Sequence, residues 1–314
     1  MLRFLEFMTF RAMKAAFFFL PRPVCLLFGT GIGRLAYLLD KKHRRLALSN
    51  LRLAYGTSVS LACLKAWARR SFGGFGRMTA EILKLPRLGK KSLEKMIAVE
   101  GEEHLVEALR LGKGALIFTA HLGNWEIASF PIARLAPLNV VARPLDNPRL
   151  ESELIRLRNR LGARVIYKQN AAREILRALG RNEVVAILID QNVLRREAVF
   201  VDFFGREAAT TPGLAAFSLR AGSPIIPVFC LPGSGFTYRL RIGEPVRVAL
   251  SGNVAKDVLK ITGHCTKMIE TEVRQHPDSW LWFHDRWKTR PENEARGHGI
   301  EPGPRIPDLK ARER

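Results

Sequence analysis

His121 and Glu126 stand five positions apart in TAHLGNWEIA, residues 119–128, at the end of the apolar run GALIFTA. An imidazole is the side chain best poised to take a proton near neutral pH, and a carboxylate that fixes its tautomer and supports its charge makes it a better base. Such a pair removes a proton from a hydroxyl, so that an alcohol becomes the nucleophile without a covalent enzyme intermediate. No serine competes for the role: GxSxG is absent, and Ser223 and Ser234 lack the elbow spacing. The spacing by itself also fits a strand that stops in a polar turn.

The geometry of the pair depends on the elements that carry it. On one helix, five positions would set the two side chains about 140° apart. The sequence predicts otherwise: a strand ending at His121, a tight turn at Gly123 and Asn124, and a helix from WEIASFPIARL with Glu126 in its first turn. From there the carboxylate can bend back to the imidazole. Beyond residue 97, the strand-like runs GALIFTA, LNVVARP, ARVIYK, VVAILID and SPIIPVFCL alternate with helical stretches such as PRLESELIRLRNRLG and AAREILRALGRN. Alternation of this kind predicts one α/β sheet with helices on its faces and a ligand at the strand ends. Residues 46–96 show helical spacing and form a helical layer ahead of the sheet.

The first 45 residues are very apolar but interrupted by charge too often for a simple spanning helix. On a helix, Arg3, Glu6, Arg11 and Lys14 share an arc of roughly 140°, opposite a broad Leu, Phe and Met face. Pro21 and Pro23 break the helix, and a second apolar piece, Val24 to Leu39, ends at Lys41, Lys42, Arg44 and Arg45. This pattern suits a helical anchor in the interface of a membrane with an anionic cytoplasmic leaflet. GTGIG, residues 29–33, has the wrong spacing and no preceding strand for a dinucleotide loop. The expected organisation is an anchor over 1–45, an α/β domain with its helical layer over 46–290, and a disordered tail over 291–314, rich in Pro, Gly and charge.

Charge narrows the partners. With 51 Lys and Arg against 29 Asp and Glu, the formal charge of +22 favours anionic ones. Nucleic acid is not expected, because no recognised module and no aromatics interleaved with a basic surface are present. Cys25, Cys63, Cys230 and Cys265 form no CxxC pair, which argues against a zinc site or disulfide framework and fits a reducing compartment.

HLGNWE resembles the His-x4-Asp/Glu motif of glycerolipid-type acyltransferases, in the form found in the bacterial lipid A biosynthesis acyltransferases. Four further blocks agree in order: VARPLDNPRL from 141, DQNV from 190, VDFFGREAATTPGLAAFSLRAGSPIIPVF from 201 and HPDSWLWFHDRWKTRP from 276. The resemblance spans roughly residues 20 to 291. It implies a glycerolipid acyltransferase-like fold with a single mixed sheet. It also implies transfer of a fatty acyl chain from acyl carrier protein or coenzyme A to a hydroxyl of a membrane glycolipid, a lipid A precursor, at the cytoplasmic face of the bacterial inner membrane. No cofactor or metal is implied.

On this reading His121 is the base and Glu126 its orienting partner, with backbone amides of residues 122–124 as candidates for oxyanion stabilisation. Arg143 would hold an anionic headgroup or a pantetheine phosphate, with Asn147 from the same block beside it, and Asp190 and Gln191 would position His121 or the acceptor. Phe203 and Phe204 are either core or acyl wall. Trp280, Trp282, His284 and Trp287 read as packing, with Asp285 and Arg286 as surface charge. Phosphatidylinositol mannoside acyltransferases share the same chemistry and are the nearest alternative; an inactive membrane-surface scaffold is the alternative of another class.

Overall fold

A computed structural model describes residues 2–167 and 171–291. The chain enters through a helical layer: α1 (Leu2–Phe19), α2 (Arg22–Leu39), α3 (Lys41–Tyr55), α4 (Leu61–Lys84) and α5 (Lys90–Met96). The break between α1 and α2 falls at the proline pair, with Pro21 at the N-cap of α2. Asp40 caps α3 by accepting from the backbone amide of His43 at 3.0 Å.

Glycine governs how α2 meets α4. A Cβ at Gly33 would stand 2.1 Å from Phe72 O, and one at Gly76 would stand 2.2 Å from Gly29 O, so the two backbones touch where side chains would hold them apart. Gly29 and Gly33 of GTGIG therefore serve a close helix crossing, not a phosphate loop. The opposite face of α2 leaves Leu27, Phe28, Leu35, Leu38 and Leu39 exposed. No single helix among the described residues is long and apolar enough to cross a membrane; α2 and α3, bent by 90°, pass that test of length and composition only together.

The sheet then builds through β1 (Ile97–Glu100), α6 (Glu102–Arg110), β2 (Ala115–Thr119), α7 (Ser129–Leu135), β3 (Leu138–Ala142) and α8 (Pro148–Arg160). Next come β4 (Ala163–Tyr167), α9 (Ala171–Gly180) and β5 (Val184–Leu188). A hairpin of β6 (Val199–Phe203) and β7 (Arg206–Thr210) precedes α10 (Gly213–Ala221), β8 (Ile225–Pro232), β9 (Tyr238–Ile242) and α11 (Val254–Gln275). Seven strands form one sheet in the order β1-β9-β8-β2-β5-β3-β4, in which only the β8–β9 pair is antiparallel.

All five strands expected from apolar runs are present. The short IAVE of β1 and the charge-alternating YRLRI of β9 escape an apolar-run criterion, being edge and next-to-edge strands. The sheet is mixed as expected, but the β6–β7 hairpin forms a second, two-stranded sheet. Along β2, Ala115 and Ile117 join the cluster beneath α5 to α8, while Leu116 and Phe118 join the cluster beneath α4 and α9 to α11. Burial on both faces makes β2 a continuous apolar run whose C-terminal end opens at the sheet centre. The expected tail lies, from residue 292 onward, outside the described residues.

Candidate functional site

The register of β2 on β5 sets the site. These parallel strands pair Thr119 with Leu188, and two residues further on each chain His121 comes abreast of Asp190. Asp190 Oδ2 accepts from the His121 backbone amide at 2.8 Å, and Asp190 Oδ1 lies 2.8 Å from His121 Nδ1. Trp280 Nε1–H donates to Asp190 Oδ2 at 2.7 Å. The carboxyl is buried, which pushes its pKa up. The neighbouring imidazole, its ring and backbone N–H bonds and the Trp280 bond outweigh burial and hold it below the ordinary carboxylate range. An ionised Asp190 facing Nδ1 keeps the proton on that nitrogen and leaves the Nε2 lone pair outward.

The turn after His121 is pinned on two sides. Leu281 N donates to His121 O and Gly123 N to Ser279 O, both at 3.0 Å, while Asn124 N donates to Cys230 O at 2.9 Å. Gly123 has φ +65°, and a Cβ there would fall 2.1 Å from Cys230 O, so this position requires glycine. The amides of Gly123 and Asn124 are thus engaged in the fold, which corrects their expected role as oxyanion donors. A different donor lies nearby: the buried Asn124 Nδ2 faces the Tyr238 hydroxyl without a close hydrogen bond, in a residue lining the same cleft as His121.

Glu126 departs from the expected geometry twice. It lies in a turn ahead of α7, which begins only at Ser129, and it makes no hydrogen bond to His121. Its carboxylate is instead held by the Arg158 fork from α8, Nε to Oε2 at 3.0 Å and Nη2 to Oε1 at 2.6 Å. Burial lowers the Arg158 pKa, but its bonds to Glu126 more than offset this and raise it. The carboxylate on His121 Nδ1 is therefore Asp190, because strand register brings it there and the Glu126 oxygens are already occupied.

The other expected residues scatter. Gln191 Nε2 lies 3.3 Å from His121 Nε2. Arg143 is exposed and paired with Asp146 at 2.9 Å. Asn147 caps α8 by accepting from Arg149 N, and its amide donates to Arg3 O at 2.7 Å and Glu6 Oε2 at 3.0 Å, tying α1 to α8. Neither residue lines the cleft at His121. Phe203 and Phe204 are core, packed against Trp280, Trp282 and Trp287. Arg286 is fully buried rather than on the surface; it donates to Ala209 O at 2.6 Å and Thr210 Oγ1 at 2.5 Å, and burial pulls its pKa down to about 10.

The cleft itself has a volume of about 390 Å³ and opens between the α2–α4 crossing and the end of the sheet. Besides His121 and Asn124 its walls include Arg34, Arg70, Arg77 and Trp125. The Trp125 ring meets the His121 imidazole edge-on at 4.8 Å. Sequence reasoning missed Trp280 and Arg158, whose only signal is membership in the closing block and on a basic helix.

The family model described as bacterial lipid A biosynthesis acyltransferase matches residues 3–289. The lipid A biosynthesis palmitoleoyltransferase of Escherichia coli (strain K12) is 28% identical over 278 residues, covering 88% of this chain and 89% of that protein. The lipid A biosynthesis lauroyltransferase of the same strain is 26% identical, covering 87% and 88%. A phosphatidylinositol mannoside acyltransferase of Mycobacterium tuberculosis (strain ATCC 25618 / H37Rv) is 28% identical over a shorter stretch, 69% of each chain.

Proposed function

Since the chain belongs to the bacterial lipid A biosynthesis acyltransferase family and is an acyltransferase, we propose that it moves a fatty acyl chain from a thioester donor, acyl carrier protein or acyl-coenzyme A, onto a hydroxyl of a lipid A precursor. The observation that carries the mechanism is the placement of Asp190 on His121 Nδ1, which presents Nε2 to the cleft. The acceptor hydroxyl displaces the Gln191 amide and gives its proton to Nε2. Its oxygen forms a bond to the thioester carbonyl carbon, and the carbonyl oxygen becomes an oxyanion that Asn124 Nδ2 receives. Collapse re-forms the carbonyl and breaks the C–S bond. The imidazolium returns its proton to the departing thiolate, so that an ester and a free thiol leave. Glu126 acts at one remove: its pair with Arg158 fixes the turn that carries Asn124 and Trp125.

The same reading places the protein at the cytoplasmic face of the bacterial inner membrane. Exposed Phe4, Leu5, Phe19, Leu27, Phe28 and Leu39 on α1 and α2 would enter the membrane interface, and the basic start of α3 would face anionic headgroups. The excess of positive charge would also steer the acidic carrier protein. The test is acyl transfer by purified protein from acylated carrier protein to a lipid A precursor, with phosphatidylinositol mannoside as the parallel acceptor. Transfer to the mannoside alone would move the protein to the alternative acceptor. No transfer to either, from either thioester donor, would leave the inactive scaffold.

A further inference from the structure

Arg77 is a charged group that the acyl-transfer step does not use. It rises from α4 into the wall of the cleft that holds His121, and its Nε and Nη2 are shut off from solvent without a hydrogen-bond partner. Such donors make a charged group costly to bury, and a ligand in the cleft can relieve that cost through Nη1, the nitrogen that is not shut off. The guanidinium is held in place by aromatic faces, its central carbon 5.3 Å from the Phe236 ring centroid and 5.5 Å from that of Tyr238. The carboxylate one turn along the helix cannot neutralise it. Glu81 is taken by the Arg22 fork at 2.7 and 2.8 Å and by the Tyr238 hydroxyl at 3.0 Å.

The rest of the wall points the same way. The acidic residue lining the cleft, Asp278, sits 3.7 Å from Arg70, leaving Arg34 and Arg77 in excess. Arg34 comes from α2 and lies against Gly73, where a Cβ would be 3.4 Å from its Cγ and 3.6 Å from its Nε. The glycine crossing of α2 and α4 thus sets guanidiniums from two helices on one wall of a cleft whose floor carries the base.

We infer that Arg77, assisted by Arg34, forms a subsite for a phosphate ester that holds one of the two substrates beside His121. Guanidinium forks from separate helices suit a tetrahedral group with several anionic oxygens, and an aromatic cradle lowers the cost of orienting the fork. The subsite deepens the proposed function and rests on it only for whose phosphate is held, the donor's pantetheine arm or the acceptor's headgroup.

Calorimetric titration of the full chain in detergent separates these sources. One arm compares 4′-phosphopantetheine with pantetheine, the other a hexosamine 1-phosphate with the free hexosamine. The expected result is a preference of about tenfold or more for the phosphorylated member of one pair. Arg77→Gln should abolish that preference, Arg77→Lys should keep part of it, and Arg34→Gln should remove a smaller part. The pair that discriminates identifies the source. Equal binding within both pairs, or a preference that survives in Arg77→Gln and Arg77→Lys alike, overturns the subsite. Should Arg77→Gln fail to fold, Arg77→Lys and the exposed-site variant Arg34→Gln decide: undiminished preference in both overturns it. Phosphate binding through Arg77 in a protein that transfers no acyl group would sink the proposed function and leave the subsite standing.

Discussion

Two carboxylates border the turn that follows β2, and the chain holds them in opposite ways. Asp190, distant by 69 positions, meets His121 through strand register and accepts from the imidazole, from a backbone amide and from Trp280. Glu126, only five positions from His121, turns away and is clasped by Arg158 on α8. Both are buried, at 3% and 6% exposure, so burial does not distinguish them. Partnership does: one carboxylate faces an imidazole, which can gain and lose a proton, the other a guanidinium that never does. The difference teaches that a short motif can mark a site while the partner it suggests is supplied from another strand.

Several substitutions would sharpen or break this contrast. The largest effect is expected at the proposed base: His121→Ala should lower acyl transfer by about 10³-fold. The variant should fold normally, as circular dichroism and thermal unfolding would check. Next is the arginine-held side of the turn. Glu126→Gln strands the Arg158 charge and should cost about 3 kcal/mol of stability, whereas the double variant Glu126→Gln with Arg158→Met should recover much of that loss. Urea unfolding measures both, and an unchanged midpoint in Glu126→Gln would show the pair to be idle.

A smaller, pH-dependent effect separates the carboxylates further. The native pKa of Asp190 is depressed, so its stabilising contribution is fully present above the ordinary carboxylate value of about 4 and is lost as pH falls through the lower native value. The stability gap between wild type and Asp190→Asn should therefore narrow only below about pH 4. A gap that stays constant from pH 7 into strong acid would contradict the assigned ionisation. The smallest effect is expected at Arg143: being exposed and paired only with Asp146, its replacement by Ala should leave activity within about twofold. A tenfold fall would return Arg143 to the path of the substrate.

These residues also mark how far the sequence was legible. Apolar runs such as GALIFTA and VVAILID revealed the central strands, because a strand buried on both faces must be apolar throughout. The proline break was equally visible as local chemistry. Edge strand β1 and the hairpin β6–β7 were not, since partners set them more than composition does. At the site, His121 and the requirement for Gly123 could be read from the turn. The link to Asp190 could be read only as nearness at strand ends, because register between β2 and β5 is a long-range property. Arg77 gave no local signal at all. It is one basic residue on a basic helix until the crossing at Gly33 and Gly76 sets it on the cleft wall.

The most direct test of the account is a paired measurement of kcat for acyl transfer in Asp190→Asn and Glu126→Gln, each corrected for its folded fraction. An amide at 190 can no longer hold the imidazole in the productive tautomer, so Asp190→Asn should lose about 10²- to 10³-fold. Glu126→Gln should lose at least tenfold less than that. Equal losses, or a deeper loss in Glu126→Gln, would contradict the assignment of Asp190 as the partner of the base.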